Sequence, residues 1–78
     1  MDTVILYTQP DCPPCEITKK FFQEHQISYV EKNIKTDAKA KKELMVTYQS
    51  FSTPTVIIGT DVFRGFALND IAKRLSIN

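Results

Sequence analysis

The sequence is poor in several residue types, and each shortage narrows the classes of function that it can serve. Its 78 residues include no tryptophan, two glycines, two cysteines and one histidine, while ten basic residues nearly balance nine acidic ones. A formal net charge of +1 provides no strong field to attract nucleic acid or an anionic membrane. No run approaches the roughly 20 apolar residues that cross a bilayer, and the N-terminus lacks the basic start of a signal peptide. We therefore expect one small domain, in the cytoplasm, that binds neither nucleic acid nor membrane.

The scarcity of glycine and histidine also excludes common catalytic sites. Gly59 and Gly65 are the only glycines and cannot build a phosphate-binding loop, and the chain holds no Ser-His-Asp set. A zinc site would need two ligands beyond the cysteines, and His25 would lie about 15 Å along a helix from Cys12. The chemistry-bearing group that remains is the pair Cys12 and Cys15, which two prolines separate.

Hydrophobic patterning predicts four strands. The run TVILY is nearly continuous and rich in β-branched residues, which is typical of a strand buried on both faces near the centre of a sheet. Three further runs combine β-forming residues with polar ones or with turn residues at their ends. The predicted strands are Thr3–Tyr7, Ile27–Ile34, Thr55–Ile58 and Asp61–Arg64, with a hairpin turn at Gly59-Thr60.

Three stretches with helical periodicity lie between or after these strands. They span Pro14–Gln26, Asp37–Tyr48 and a last segment within residues 68–75. We expect their buried faces to carry Ile17, Phe21, Phe22, Leu44, Met45 and Tyr48. The expected caps and dipole partners are Thr36 or Asp37 for the second helix, and Asn69, Asp70, Lys73 and Arg74 for the third. The order β-α-β-α-β-β-α predicts an α/β fold with a mixed four-stranded sheet flanked by helices.

The cysteine pair falls where the first strand turns into the first helix, which places Cys12 at the helix N-terminus. The first N–H groups of a helix lack partners within it, and the helix dipole adds positive charge, so a thiolate is favoured there. The two prolines remove donors and leave the N–H groups of Cys15 and Glu16 to meet the Cys12 sulfur. Because the thiolate is the attacking form, Cys12 is the candidate nucleophile, with Cys15 more buried and one turn further on.

Two other roles for the pair stay open on the residues alone. A structural disulfide would close so short a loop that it removes little entropy from the unfolded chain, and the cytoplasm keeps thiols reduced. A metal or iron–sulfur carrier would use Cys12 from two chains together with external thiols. Dithiol chemistry is the leading hypothesis of the three.

Two segments of the sequence resemble the glutaredoxin family of thiol–disulfide oxidoreductases. YTQPDCPPC, at Tyr7–Cys15, is similar to the family's Tyr-Thr pair leading into Cys-Pro-x-Cys, and STPTVIIG, at Ser52–Gly59, is similar to its Thr-Pro segment. The resemblance spans essentially the whole chain and implies a thioredoxin fold. It makes Cys12 the nucleophile, Cys15 the resolving thiol and Thr53-Pro54, with a cis peptide bond, the loop that faces them.

The resemblance also implies a set of substrate-contacting residues: Tyr7, Gln9, Pro13, Thr53, Pro54, Gly65 and Phe66. Gln9 stands where many glutaredoxins carry a lysine that meets a glutathione carboxylate. Gly65-Phe66 looks more like the NrdH-type redoxins, which donate electrons to ribonucleotide reductase and are recharged by thioredoxin reductase. We therefore expect a monomer without a tightly bound cofactor. It would reduce disulfides of proteins, ribonucleotide reductase among them, or of small molecules, with glutathione or thioredoxin reductase as the electron source.

A run of lysines and two aromatic residues complete the set of candidates. The run comprises Lys32, Lys35, Lys39, Lys41 and Lys42. A solvated helix face is its ordinary explanation, and the alternative is a docking patch for an acidic partner or for glutathione carboxylates. We also expect Phe51 and Phe66 to be exposed near the cysteines.

Overall fold

The computed structural model describes residues 3–77, and the elements within them follow the predicted order. They are β1 (Val4–Thr8), α1 (Pro13–Glu24), β2 (Val30–Asn33), α2 (Ala38–Lys42), a π turn (Glu43–Thr47), β3 (Thr55–Ile58), β4 (Asp61–Arg64) and α3 (Leu68–Arg74). The bounds of β3 and β4 agree with the prediction, β1 lies one residue further along the chain, and β2 is shorter than predicted. None of the helices in this part of the chain is long and apolar enough to cross a membrane.

β1 lies inside a mixed four-stranded sheet of order β2-β1-β3-β4. It runs parallel to β2 and antiparallel to β3, which pairs with β4 through the predicted hairpin turn. Leu6 pairs with Glu31 on one side and Val56 on the other and is fully buried, so the predicted central position of this strand is confirmed. Because β3 is antiparallel to β1, the end of β1 and the start of β3 meet at one edge of the sheet, with Tyr7 opposite Thr55.

Successive residues of the central strands point to opposite faces of the sheet and build two cores. One core packs α1 and α3 against the sheet and contains Val4, Leu6, Phe22, Val56, Ile58 and Ile71. The other packs α2 and the π turn against the opposite face and contains Tyr7, Ala40, Leu44 and Ile57. α2 therefore lies on the other side of the sheet from α1 and α3.

The buried face of α1 differs from the prediction at Ile17. Phe22 is fully buried and Phe21 is half-buried at the edge of the core, but Ile17 is 49% exposed. The reason is helical periodicity, since Ile17 lies two residues after buried Cys15 and so faces away from it. Thr18 takes the core position instead, and its hydroxyl donates to a backbone carbonyl one turn earlier at 2.8 Å.

The second predicted helix changes its winding partway along. α2 begins after Asp37, whose carboxylate accepts from a first-turn N–H at 3.1 Å, so one of the two predicted caps is confirmed. From Glu43 the backbone widens into the π turn, in which the Tyr48 N–H donates to the Glu43 carbonyl at 3.2 Å. The wider turn rotates the residues within it, so Leu44 is buried as predicted while Met45 is 40% exposed.

α3 begins earlier than predicted. Only residues 65–67 separate β4 from this helix, so Ala67 occupies the cap position without a side-chain hydrogen bond. The predicted cap at Asn69 is wrong, because Asn69 lies inside the first turn. The charged residues that complement the helix dipole are those predicted: Asp70, Lys73 and Arg74.

Truncating Phe22 and Ile17 separately tests the orientation of α1. Phe22→Ala removes a fully buried ring and should lower the free energy of unfolding by about 3 to 5 kcal/mol, because it leaves a cavity in the core. Ile17→Ala, on the same helix, should change it by less than about 1 kcal/mol. Urea unfolding followed by circular dichroism measures both values. An equal loss of unfolding free energy in the two variants would contradict the orientation of α1, with Phe22 buried and Ile17 exposed.

Candidate active site at the Cys12–Cys15 pair

The sulfur of Cys12 caps the N-terminus of α1. Cys12 adopts an extended backbone conformation (φ −121°, ψ 90°), and prolines occupy the first two helical positions. The Cys15 N–H donates to the Cys12 Sγ at 3.2 Å and also to the Cys12 carbonyl at 3.0 Å. The Glu16 N–H donates to the same carbonyl at 3.2 Å. The N–H of Cys15 therefore meets the sulfur, as predicted, whereas the predicted contact from the Glu16 N–H is wrong, because that group bonds to the carbonyl.

The two cysteines form a disulfide in the structure, with their Cα atoms 5.2 Å apart. This separation lies within the range that a disulfide spans without backbone movement. Cys12 is 9% exposed, whereas Cys15 is fully buried. Of the two cysteines, only Cys12 therefore reaches the surface.

The Thr53-Pro54 peptide faces the cysteine pair and is cis, as the family resemblance implied. The Thr53 hydroxyl donates to the Cys12 Sγ at 3.6 Å, a long bond that suits the large sulfur atom. Pro54 is buried, and its carbonyl accepts from the Gly65 N–H at 2.9 Å. Gly65 makes this approach with a φ of +78°, a conformation that favours glycine. The bond brings the end of β4 alongside the loop, where Phe66 is 56% exposed as predicted.

Two buried hydroxyls, which the sequence did not single out, fix the path of this loop. The Thr55 hydroxyl donates to the Ser52 carbonyl at 2.7 Å. The Thr55 hydroxyl has only this one proton to donate. In its bond with the Ser50 hydroxyl, 2.8 Å away, Thr55 therefore accepts and Ser50 donates. The Ser50 N–H donates in turn to the Leu44 carbonyl at 3.0 Å, which ties the loop to the π turn. The side chains of Ser50 and Thr55 therefore set the position from which Thr53 meets Cys12.

Tyr7, predicted among the substrate contacts, lies in the core beneath α2 and is fully buried. Its hydroxyl donates to the Glu43 carboxylate at 2.7 Å, and the Lys32 ammonium lies 2.8 Å from the same oxygen. Burial and the neighbouring carboxylate raise the pKa of Tyr7, while the bonds from Lys32 and Tyr7 lower the pKa of Glu43. A substrate at the surface does not reach Tyr7, which instead anchors the π turn to β1.

A second polar network ties α1 to the edge strand β2. The Lys19 ammonium lies 2.9 Å from the Glu31 carboxylate and 2.8 Å from that of Glu16. The hydroxyl of buried Thr8, at the end of β1, donates to Glu31 at 2.8 Å. The bond from Lys19 is the main reason that the pKa of Glu31 is lowered. These contacts hold α1, which contains Cys15 and is capped by Cys12, against the parallel strand pair.

The remaining candidates lie at the surface or far from the pair. Gln9 and Pro13 are exposed on either side of the turn that leads into Cys12. His25 lies at the opposite end of α1, where its ring packs on Phe21 with centroids 4.6 Å apart. Among residues 3–77 no three His, Cys, Asp or Glu side chains form a group that could hold a metal ion. The cluster shared between two chains stays a hypothesis.

Removing the charge of Glu43 tests the anchor of the π turn. Glu43→Gln keeps an acceptor for the Tyr7 hydroxyl but loses the attraction to Lys32. Because folding lowers the pKa of Glu43, the wild type should be more stable than the variant above the ordinary carboxyl pKa of 4.5. The difference should shrink as the pH falls through the lowered value, since the folded state then also binds the proton.

Urea unfolding across the acid range measures this difference, and Glu24→Gln, which removes an exposed carboxylate of α1, is the matched control. A difference between wild type and Glu43→Gln that does not change with pH would contradict an anchor based on charge.

Comparison with known proteins agrees with this geometry. Residues 4–63 match the glutaredoxin family model. A curated relative, an uncharacterized glutaredoxin-like 8.6 kDa protein in the rubredoxin operon of Clostridium pasteurianum, is 28% identical over 68 residues. The match covers 87% of this chain and 91% of the relative.

Two solved structures show the same fold. The thioredoxin-like protein BC3987 is 42% identical, with a TM-score of 0.89 over 91% of this chain and 97% of that one. The NrdH-redoxin from Escherichia coli, a glutaredoxin-like protein with a thioredoxin-like activity profile, is 28% identical. Its TM-score is 0.79 over 94% of this chain and 93% of its own. The expected thioredoxin fold is confirmed, and the chain belongs to the glutaredoxin family of thiol–disulfide oxidoreductases.

Proposed function

We propose that this protein is a dithiol electron carrier that reduces disulfides of proteins and small molecules, with Cys12 as the nucleophile and Cys15 as the resolving thiol. One observation carries the proposal: the Cys12 sulfur accepts from two donors, the Cys15 N–H at 3.2 Å and the Thr53 hydroxyl at 3.6 Å. Donors directed at a sulfur favour its thiolate, and the N-terminus of α1 adds partial positive charge. The site is thus suited to nucleophilic attack by Cys12.

The reaction has two exchange steps. In the reduced protein the Cys12 thiolate attacks a substrate disulfide, and one substrate sulfur leaves as a thiolate and takes a proton from water. The Cys15 thiol, buried next to Cys12, then loses its proton and attacks the Cys12 sulfur. The second substrate sulfur leaves as a thiol and the Cys12–Cys15 disulfide forms. Two electrons therefore pass from the cysteine pair to the substrate, with one proton from Cys15 and one from water.

The substrate would lie along the Thr53-Pro54 loop. Within the described part of the chain, neither the N–H nor the C=O of Thr53 makes a backbone hydrogen bond. These groups can pair with an extended peptide in the manner of an added strand. Gln9, Pro13 and Phe66, all exposed around the loop and the cysteines, would contact its side chains.

Thioredoxin reductase is the electron source that we favour over glutathione, with ribonucleotide reductase among the protein substrates. Gln9 provides no charge for a glutathione carboxylate, and Gly65-Phe66 resembles the corresponding residues of NrdH-type redoxins. The similarity to the Escherichia coli NrdH-redoxin, with its thioredoxin-like activity profile, supports the same assignment. A carrier that works in the reduced form is suited to the cytoplasm, where thiols are kept reduced.

Substituting each cysteine separates the two roles. Cys12→Ser should abolish disulfide reduction, because no other thiol reaches the surface. Cys15→Ser keeps the nucleophile and should accumulate a mixed disulfide with a peptide substrate, visible in the intact mass as one added substrate half. Full activity of Cys12→Ser, or equal trapping by the two variants, would contradict the assignment.

Paired recycling assays identify the electron source. NADPH consumption is measured with bis(2-hydroxyethyl) disulfide, recharged either by thioredoxin reductase or by glutathione with its reductase. Turnover with thioredoxin reductase should be faster by about tenfold or more, because Gln9 offers no ion pair to a glutathione carboxylate. Turnover that requires glutathione would make the protein a glutathione-dependent glutaredoxin instead.

A further inference from the structure

Basic charge is concentrated on the α2 side of the sheet. Residues 32–42 carry five of the ten basic side chains of the protein and one of its nine acidic ones. Lys32 is paired with Glu43, and the carboxylate of Asp37 caps α2. Among the described residues no ion pair involves the other four lysines, which are exposed: Lys35, Lys39, Lys41 and Lys42. Within residues 3–77 these four lysines therefore form no ion pair, and only Lys39 is close enough to Glu43 to help lower the pKa of that carboxyl.

Apolar side chains continue the same surface. Ala40 and Leu44 occupy the buried side of α2 and the π turn and Glu43 reaches Tyr7, while the remaining residues of these elements are exposed. The π turn exposes Met45 (40%) and Val46 (66%), and Phe51, a few residues on, is 78% exposed as predicted. Single exposed apolar residues are ordinary, but three of them within seven positions, directly after the lysines, form a mixed basic and apolar surface.

This surface leads to the reactive sulfur. Phe51 lies two residues before Thr53, whose hydroxyl contacts the Cys12 Sγ at 3.6 Å. The intervening loop is bonded to the π turn through Ser50 and to β3 through the Ser50–Thr55 pair. A peptide whose disulfide meets Cys12 can therefore extend over Phe51 toward α2, on the side of the sheet opposite α1 and α3.

We propose that the α2 face, defined as Lys39, Lys41, Lys42, Met45, Val46 and Phe51, is a docking surface for acidic protein substrates. It would select disulfide-bearing segments that carry both carboxylates and apolar side chains. The inference rests on the proposed function, since docking matters here only if Cys12 exchanges disulfides. Complementary charge raises the rate at which protein and substrate meet. A preference for acidic substrates should therefore appear in kcat/KM and weaken as salt is added. Lysines alone would suit nucleic acid as well as an acidic protein. The exposed apolar side chains of the α2 face favour a protein segment.

The test uses two synthetic peptides with the same internal disulfide and the same flanking leucines, one with flanking glutamates and the other with flanking lysines. The variant Lys39→Glu/Lys42→Glu reverses the charge of the α2 face. The matched control Lys20→Glu/Lys73→Glu makes the same change in net charge at exposed lysines of α1 and α3, on the other side of the sheet. Reduction of bis(2-hydroxyethyl) disulfide, which carries no charge, reports the basal activity of each protein.

At low ionic strength the wild type should reduce the acidic peptide with a kcat/KM about tenfold above that for the basic peptide, and added salt should narrow the gap. Lys39→Glu/Lys42→Glu should abolish or reverse the preference. Lys20→Glu/Lys73→Glu should largely retain it, and all three proteins should reduce the uncharged disulfide at similar rates.

Equal kcat/KM for the two peptides in the wild type would overturn the proposal. An equal loss of preference in both double variants would do so too, because only net charge would then matter. Stronger inhibition by a single-stranded oligonucleotide than by a disulfide-free acidic peptide would assign the surface to nucleic acid instead. Failure of the wild type to reduce the uncharged disulfide is a separate outcome, which would refute the dithiol activity and the docking proposal with it.

Discussion

The hydrogen bond from the Cys15 N–H to the Cys12 sulfur is the contact on which the rest of the site depends. It forms because two prolines begin α1 and because a cysteine occupies a capping position that Ser, Thr, Asp or Asn usually fills. A hydroxyl or carboxylate would cap the helix as well but would place no thiol there. A single sulfur atom thus completes the helix and provides the reactive group. The surrounding fold has to keep β1, α1 and the loop before β3 in fixed relation to that atom.

The two faces of the sheet meet this requirement by different means. The core under α1 and α3 is mainly apolar, as Val4, Phe22 and Ile71 show, and the bonded hydroxyls of Thr8 and Thr18 lie at its edge. The core under α2 includes the hydroxyl of Tyr7 bonded to Glu43, and the buried Ser50–Thr55 pair lies in the adjoining loop. No buried side-chain nitrogen or oxygen in the described residues lacks a partner. Fully bonded polar groups specify one geometry more narrowly than apolar packing does. The loop that carries Thr53 to the Cys12 sulfur is attached to the π turn, on the α2 side of the sheet, where polar groups fix the geometry.

Local patterns predict much of this fold, and contacts distant in sequence account for what they miss. The hairpin around Gly59-Thr60 and the sulfur cap follow from neighbouring residues alone. The burial of Thr18 in place of Ile17 does not follow from them, because hydrophobicity alone would bury the isoleucine. Nothing in the ELMVT segment marks a π turn. Its anchor at Glu43 depends on Tyr7, 36 positions earlier, which a local pattern cannot show. The burial of Ser50 and Thr55 was equally hidden, since both residues are ordinary beside a turn-forming proline.

The prolines at the start of α1 also have a spectroscopic consequence. Proline has no amide proton, so the amide of Cys15 is the first backbone N–H of this helix. That proton points at the Cys12 sulfur and, at the same time, at the Cys12 carbonyl. A change in the charge or bonding of the sulfur alters the field at this proton directly, and its nuclear magnetic resonance frequency reports the change. The chain therefore contains its own indicator of redox state, one hydrogen bond away from the sulfur that we propose as the nucleophile.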